Sequence, residues 1–222
     1  MAERGVDLTD PRMLRRTAEH LSTCFAGTFF PELVERCVAE CYAELARTAR
    51  LPSYLAPIAV HAARDRLRAL ATARSGTGPA PAEPPVRQVL FVDDRDAGPA
   101  AVAAALLGEL AGREVVTRSA GTAPADTMDP SAVQFLADHG VPAPMAAPKP
   151  MTRELLLAAD WVITFGDQDL GALGPGTTCQ TWPAQATPQA HQWPEMIADL
   201  QARVHALQLE ITPFATEQAR TG

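Results

Sequence analysis

The sequence predicts an all-α three-helix bundle followed by an α/β sandwich with a short parallel sheet. Three observations predict it. Residues 1–74 show only helical periodicity, whereas strand-like and helix-like segments alternate after residue 86. Between them lies a run without periodicity, from Ser75 to Pro85, rich in proline, glycine and alanine, which reads as a linker. The charge also changes sign there. Residues 1–74 carry 11 basic and 9 acidic side chains, and residues 75–222 carry 8 and 17. The expected division is therefore a bundle over 1–74, a linker over 75–85 and an α/β domain over 86–222.

Asp10-Pro11 supplies an N-cap and a proline at the first helical position, so the first helix begins there. Leu14, Thr17, Ala18, Leu21 and Cys24 follow on one face, and Gly27 ends it. The second helix starts at Pro31, turns Leu33, Val34, Cys37, Val38, Cys41 and Leu45 inward, and stops at Leu51-Pro52. A third runs from about Ser53 to Ala73, with Pro57 in its first turn and Leu55, Ile58, Ala59, Ala62, Leu67 and Leu70 inward. A bundle this small buries a limited share of its surface, so self-association is a natural source of further stability. Cys37 and Cys41 lie one turn apart, with Cys24 and His20 as conceivable co-ligands of a metal. No CxxC or HxxxH spacing is present, and they read as small buried hydrophobes. Arg64, Arg66 and Arg68 do not share a helix face, so they make a poor DNA surface.

Gln88–Val92 is an apolar run that reads as a buried parallel strand. Pro99 opens an alanine- and leucine-rich helix to about Leu110, and Val115–Ala120 is a second strand. Asp129-Pro130 caps a helix ending at Gly140, where His139 serves as a C-terminal cap. Thr152 opens a short helix, Trp161–Phe165 is a third strand, Cys179–Trp182 a fourth, and Trp193-Pro194 leads into a last helix to about Leu209. Cys179 reads as buried. Ligands of such sheets bind beyond the carboxyl ends of the strands, here past Val92 and Phe165.

Composition excludes several classes. No apolar run approaches the roughly 18 residues of a membrane span, and the N-terminus lacks an apolar signal core. Four cysteines are too few for a disulfide scaffold. A cytoplasmic protein is expected, without cofactor, resident metal or membrane partner. The net charge of -7 speaks against nucleic acid as a partner.

Val89-Leu90-Phe91-Val92 followed by a loop and an alanine-rich helix resembles the opening of low-molecular-weight tyrosine phosphatases and thioredoxin-coupled arsenate reductases. Arg118-Ser119-Ala120-Gly121-Thr122-Ala123-Pro124-Ala125-Asp126 is similar to the family's second-strand motif. Pro148-Lys149-Pro150-Met151-Thr152 and Ala158-Ala159-Asp160-Trp161-Val162-Ile163-Thr164 resemble the arsenate-reductase branch. The resemblance covers about residues 86–209 and implies a three-layer sandwich. The bundle is similar to an N-terminal module fused to some bacterial members, which implies a homodimer.

The family's loop after the first strand is Cys-x5-Arg-Ser: a thiolate nucleophile and an arginine that clamps the oxyanion. Here the loop reads Asp93-Asp94-Arg95-Asp96-Ala97-Gly98-Pro99-Ala100, with Asp93 at the cysteine, Pro99 at the arginine and Ala100 at the serine position. The family's general-acid aspartate is matched by Thr187, before Pro188, and residues 166–171 hold no resolving cysteine. A carboxylate cannot perform thiol–disulfide chemistry, and three aspartates against one arginine repel phosphate or arsenate. The loop is therefore expected to be filled internally, with Asp93 or Asp96 accepting the N–H groups that would hold an anion. Ser119, Thr122, Phe165, Asp167 and Trp182 form the expected rim. Lys149 reads as a relic of ancestry, and Trp182 and Trp193 as core or rim.

Three functions follow as expectations. The first is a non-catalytic, dimeric protein that binds a protein or small-molecule partner. The second is a repurposed enzyme using Asp93, Arg95, Asp96 or His191 for acid/base chemistry on a small molecule. The third is a DNA-linked regulator. An aspartyl-phosphate enzyme is off by one residue in its Asp-x-Asp spacing, and the carboxylates offer no rigid set of cation ligands.

Overall fold

The computed structural model describes residues 11–48, 55–75, 86–140, 147–184 and 192–211. The chain divides into two compact units, Met1–Pro85 and Val86–Gly222. Most of the predicted linker, residues 76–85, lies outside the described residues, as do Thr187, Pro188 and His191.

In the first unit α1 spans Pro11–Cys24, α2 Pro31–Thr48 and α3 Leu55–Arg74. Their common core is Ala18 and Leu21 from α1, Leu33, Val34, Cys37, Val38 and Cys41 from α2, and Leu55, Ala59, Ala63 and Leu67 from α3. Phe29 and Phe30, in the short α1–α2 connection, complete it. Three residues expected inward are instead exposed. Cys24 is the last residue of α1. Ile58 and Ala62 lie on the outer side of α3, because Ala59, Ala63 and Leu67 define its inward stripe. The bends at Gly27 and Pro31 fall where the sequence places them, and Leu51-Pro52, the expected end of α2, lies outside the described residues.

In the second unit β1 spans Arg87–Asp93, β2 Val115–Gly121, β3 Trp161–Phe165 and β4 Thr178–Trp182. They form one parallel sheet in the order β2-β1-β3-β4. The helices are α4 over Pro99–Ala111, α5 over Pro130–Asp138, α6 over Arg153–Ala158 and α7 over Trp193–Ile211. The fold is the expected α/β sandwich with a short parallel sheet.

Burial fits the place of β1 as one of the two inner strands. Val89 and Phe91 on one face join a core with Ala100, Val102, Ala103, Leu106 and Leu107 of α4 and Met196, Leu200, Val204 and Leu207 of α7. Leu90 and Val92, on the opposite face, are also 0% exposed. A strand buried on both faces reads as a continuous apolar run, as Val89–Val92 does. The chain leaves β1 through α4 to β2 on one side and later places β3 on the other. The carboxyl ends of β1 and β3 therefore form the topological switch point, where such sheets open a crevice. Asp93 stands at that point, in register with Gly121.

Candidate functional site

Asp93 is the last residue of β1, and its carboxylate turns back under the loop that follows. Its Oδ1 accepts the N–H of Arg95 at 3.0 Å and the N–H of Asp96. Its Oδ2 accepts the N–H of Ala100 at 3.3 Å, in the first turn of α4. One negative group is thus set among backbone donors at the start of a 13-residue helix, where both the free N–H groups and the macrodipole favour it. Pro99 at the first helical position has no N–H to leave unpaired. Asp93 is only 5% exposed. Burial pushes its carboxyl up to about 6, the charges of Asp96 and Asp94 add to this, and the N–H groups of Asp96 and Ala100 oppose it.

Asp96 does different work. It is fully buried and held in the left-handed region at φ 47°, which aspartate tolerates better than most residues. Its Oδ2 accepts the Lys149 N–H at 2.7 Å, and the Lys149 ammonium lies 3.6 Å from the same oxygen. Burial raises its carboxyl above the ordinary range, while Lys149 and the Ser119 hydroxyl favour the charged form. Asp96 therefore ties the loop to the segment before α6. Of the two aspartates expected as acceptors, Asp93 takes the N–H groups of the loop and of the α4 start, and Asp96 takes that of Lys149. Lys149, the only lysine in the chain, has a structural role that its sequence reading did not give it.

The loop carbonyls are equally committed. The N–H groups of Thr122, Ala123, Ala125 and Asp129 donate to the carbonyls of Asp93, Asp94, Arg95 and Ala97 at 3.1, 2.7, 2.8 and 2.8 Å. This backbone approach requires Gly121. A Cβ there would stand 2.9 Å from Arg95 C and Asp96 N. On the other side the Trp193 ring lies 3.1 Å from where a Gly98 Cβ would be, so α7 covers the start of α4. The side chains of Asp94 and Arg95 are exposed.

The expected rim separates into three parts. Thr122 and Asp167 are exposed, and Thr122 Oγ1 donates to Gln168 Oε1 at 3.1 Å, joining the loops after β2 and β3. Ser119 is buried on β2 and serves Asp96. Phe165 and Trp182 are core, which corrects the rim placement of Phe165 and, for Trp182, matches the core alternative of its reading. Their rings meet edge to face at 5.6 Å, and Trp182 also packs on Phe91 at 5.8 Å. Trp193 is core as well. Cys179 is exposed, contrary to expectation, because β4 is the sheet edge and its side chain points to solvent. His139 caps α5: its N–H donates to Phe135 and Leu136 carbonyls, and its ring stacks on Phe135 at 3.9 Å. Among the described residues no group of three or more His, Cys, Asp or Glu is placed to hold a metal ion.

Chemically, Asp93 would have to give up loop donors to act on anything outside. Neither Asp93 nor Asp96 is presented to solvent, and the positions flanking them, Ala97 to Ala100, are buried and without ionisable side chains. The sequence motif located this site. It did not reveal Gly121, Ser119, Lys149 or Trp193 as its supports; the proximity of Lys149 to the second-strand motif through the Gly121–Pro150 bridge is a tertiary fact.

Residues 88–181 match the family model described as low molecular weight phosphotyrosine protein phosphatase, and residues 14–71 match the protein-tyrosine-phosphatase-like N-terminal domain. The chain is similar to a thioredoxin-dependent arsenate reductase from Corynebacterium glutamicum, at 35% identity over 91% of this chain and 98% of that one, with a TM-score of 0.54. It is also similar to an arsenate reductase from Archaeoglobus fulgidus, at 21% identity over 54% of this chain and 98% of that one, TM-score 0.45. An arginine phosphatase from Geobacillus stearothermophilus is 17% identical over 61% of this chain and 97% of that one, TM-score 0.45.

Proposed function

The chain belongs to the low molecular weight phosphotyrosine protein phosphatase family, and from that premise we propose that it is a catalytically silent member acting as a dimeric binding or regulatory protein. The observation that carries this reading is the Asp93 carboxylate, which accepts the N–H groups of Arg95, Asp96 and Ala100 from within the chain. An external oxyanion would have to displace it and then meet Asp94 and Asp96 without an arginine at position 99. The thiol, the clamp, the serine and the resolving cysteines of the family are absent from the matching positions 93, 99, 100 and 166–171. The dimer is proposed through the N-terminal bundle. It is supported by the small size of the unit and by Ile58, which leaves 52% of itself exposed on α3.

The test is turnover of the purified full chain with an aryl phosphate, and with arsenate plus thioredoxin and its reductase. The expected result is no turnover above the buffer control. Thiol-sensitive turnover of either substrate would overturn the reading.

A second reading, acid/base chemistry on a small molecule, is favoured by one observation: Asp93 and Asp96 both titrate above the ordinary carboxylate range. It requires a substrate to reach a carboxylate that is 5% or 0% exposed. Burial therefore favours the first reading. A DNA-linked regulator has less support, since Arg66 is committed to Glu40 at 3.1 Å and Arg68 lies beside Asp65.

A further inference from the structure

Away from the sheet, one exposed stripe of α1 carries chemistry that its packing does not use. Arg16, His20 and Cys24 follow one another at intervals of four residues, so their side chains share one side of the helix. All three are exposed, whereas α1 gives Ala18 and Leu21 to the core. The Cys24 sulfur and His20 Nε2 are 3.8 Å apart. The acid beside them, Glu19, pairs instead with Arg15 at 3.1 Å. Among the described residues Cys24 is the one cysteine with an imidazole against its sulfur. Cys37 and Cys41 are buried, and Cys179 is exposed on β4. A nucleophile, a base and a cation thus stand in line on an open helix face.

We propose that this stripe is a site of thiol–disulfide exchange, at which Cys24 takes a small, carboxylate-bearing disulfide and keeps half of it as a mixed disulfide. A thiol in the last turn of a helix is a poor nucleophile alone, because the free carbonyls and the macrodipole there oppose a thiolate. The same field favours an imidazolium. His20, in the tautomer with its proton on Nδ1, is placed to take the thiol proton on Nε2 as the sulfur attacks. The Cys24 sulfur bonds to one sulfur of the disulfide, and the disulfide bond breaks. Its electron pair leaves on the second sulfur, which recovers the proton from His20 and departs as a thiol. Cys24 is oxidised and the small disulfide is reduced, so no further oxidant or reductant takes part. Arg16, one turn before His20, favours an anionic partner, since its guanidinium pairs with a carboxylate of the half that stays. The product stands on the helix surface, so the bundle core need not open.

The experiment uses the full chain and oxidised glutathione as probe, with each mixed disulfide located by peptide mass mapping. Cys179→Ser isolates Cys24 and Cys24→Ser isolates Cys179; both positions are exposed, so neither change opens a core. The expected result is a mixed disulfide at Cys24 that forms about tenfold faster than one at Cys179. In the Cys179→Ser chain, His20→Ala lowers the Cys24 rate about tenfold at unchanged helicity, and free imidazole restores it, as a merely structural role would not allow. Arg16→Ala slows the reaction with oxidised glutathione and leaves that with the neutral bis(2-hydroxyethyl) disulfide unchanged. Equal rates at Cys24 and Cys179, or no effect of His20→Ala, would overturn the site. An Arg16→Ala chain that treats the two disulfides alike would overturn the choice of an anionic partner.

Discussion

At the residue scale the site turns on one carboxylate held by three backbone donors. Burial of Asp93 costs the charged form more than the donors return, so its carboxyl rises from 3.8 to about 6. The sign of its linkage follows. Below 3.8 the folded and unfolded chains both carry the proton. Between 3.8 and about 6 only the folded chain keeps it, so the contribution of this group to stability falls as pH rises, and it levels off above about 6. At 1.36 kcal/mol per unit the full span is about 3 kcal/mol. Asp93→Asn, which keeps the shape without titrating, is expected to lose this component. Denaturant midpoints of wild type and Asp93→Asn across that range check it, and a constant difference between the two contradicts it. The sequence made Asp93 legible because an aspartate directly after an apolar strand stands out. It did not distinguish the tasks of Asp93 and Asp96, because a three-residue separation in a loop does not say which carboxylate turns inward. The backbone at Asp96, at φ 47°, decides that.

At the element scale the loop is an insert clamped between β2 and the N-terminus of α4. Four backbone hydrogen bonds from the 122–129 segment fix its outer edge, and the Asp93 carboxylate fixes its inner edge. Gly121 is the position where two backbones come closest. Gly121→Ala is expected to destabilise the second unit by about 1–3 kcal/mol, as overpacking against immobile atoms does. The drop is measured as a shifted denaturant midpoint at constant slope, and an unchanged midpoint contradicts the clamp. The strands were legible because β1 and β3 are buried on both faces and read as apolar runs. β4 was nearly as clear in extent, but the exposure of Cys179 was not, since an edge strand and an inner strand share the same short pattern. In the bundle, Ala59 and Ala62 are equally apolar as residues. Only packing against α2 shows that the stripe runs through Ala59, Ala63 and Leu67 and leaves Ile58 outside.

At the scale of the whole molecule, the two units have opposite formal charge and separate cores. If α3 pairs with a second copy through Ile58, then Ile58→Glu should convert a dimer to monomers without loss of helicity. Light scattering of wild type and variant decides it, and a monomeric wild type contradicts the proposed assembly. The -9 carried by residues 75–222 gives the sequence its sharpest clue, because the loop at the switch point contributes three aspartates to it. The family fold was legible from motif order. That the Asp93 carboxylate accepts the N–H groups of Arg95, Asp96 and Ala100 is a tertiary geometry that the sequence does not carry. The central claim is that this carboxylate stands where an anion would. Phosphate titrated into wild type and Asp93→Ala, at a pH about two units above the Asp93 titration, tests it most directly. The melting temperature of wild type should stay unchanged while that of Asp93→Ala rises with phosphate. Stabilisation of the wild type by phosphate, equal to or greater than that of Asp93→Ala, would contradict the account.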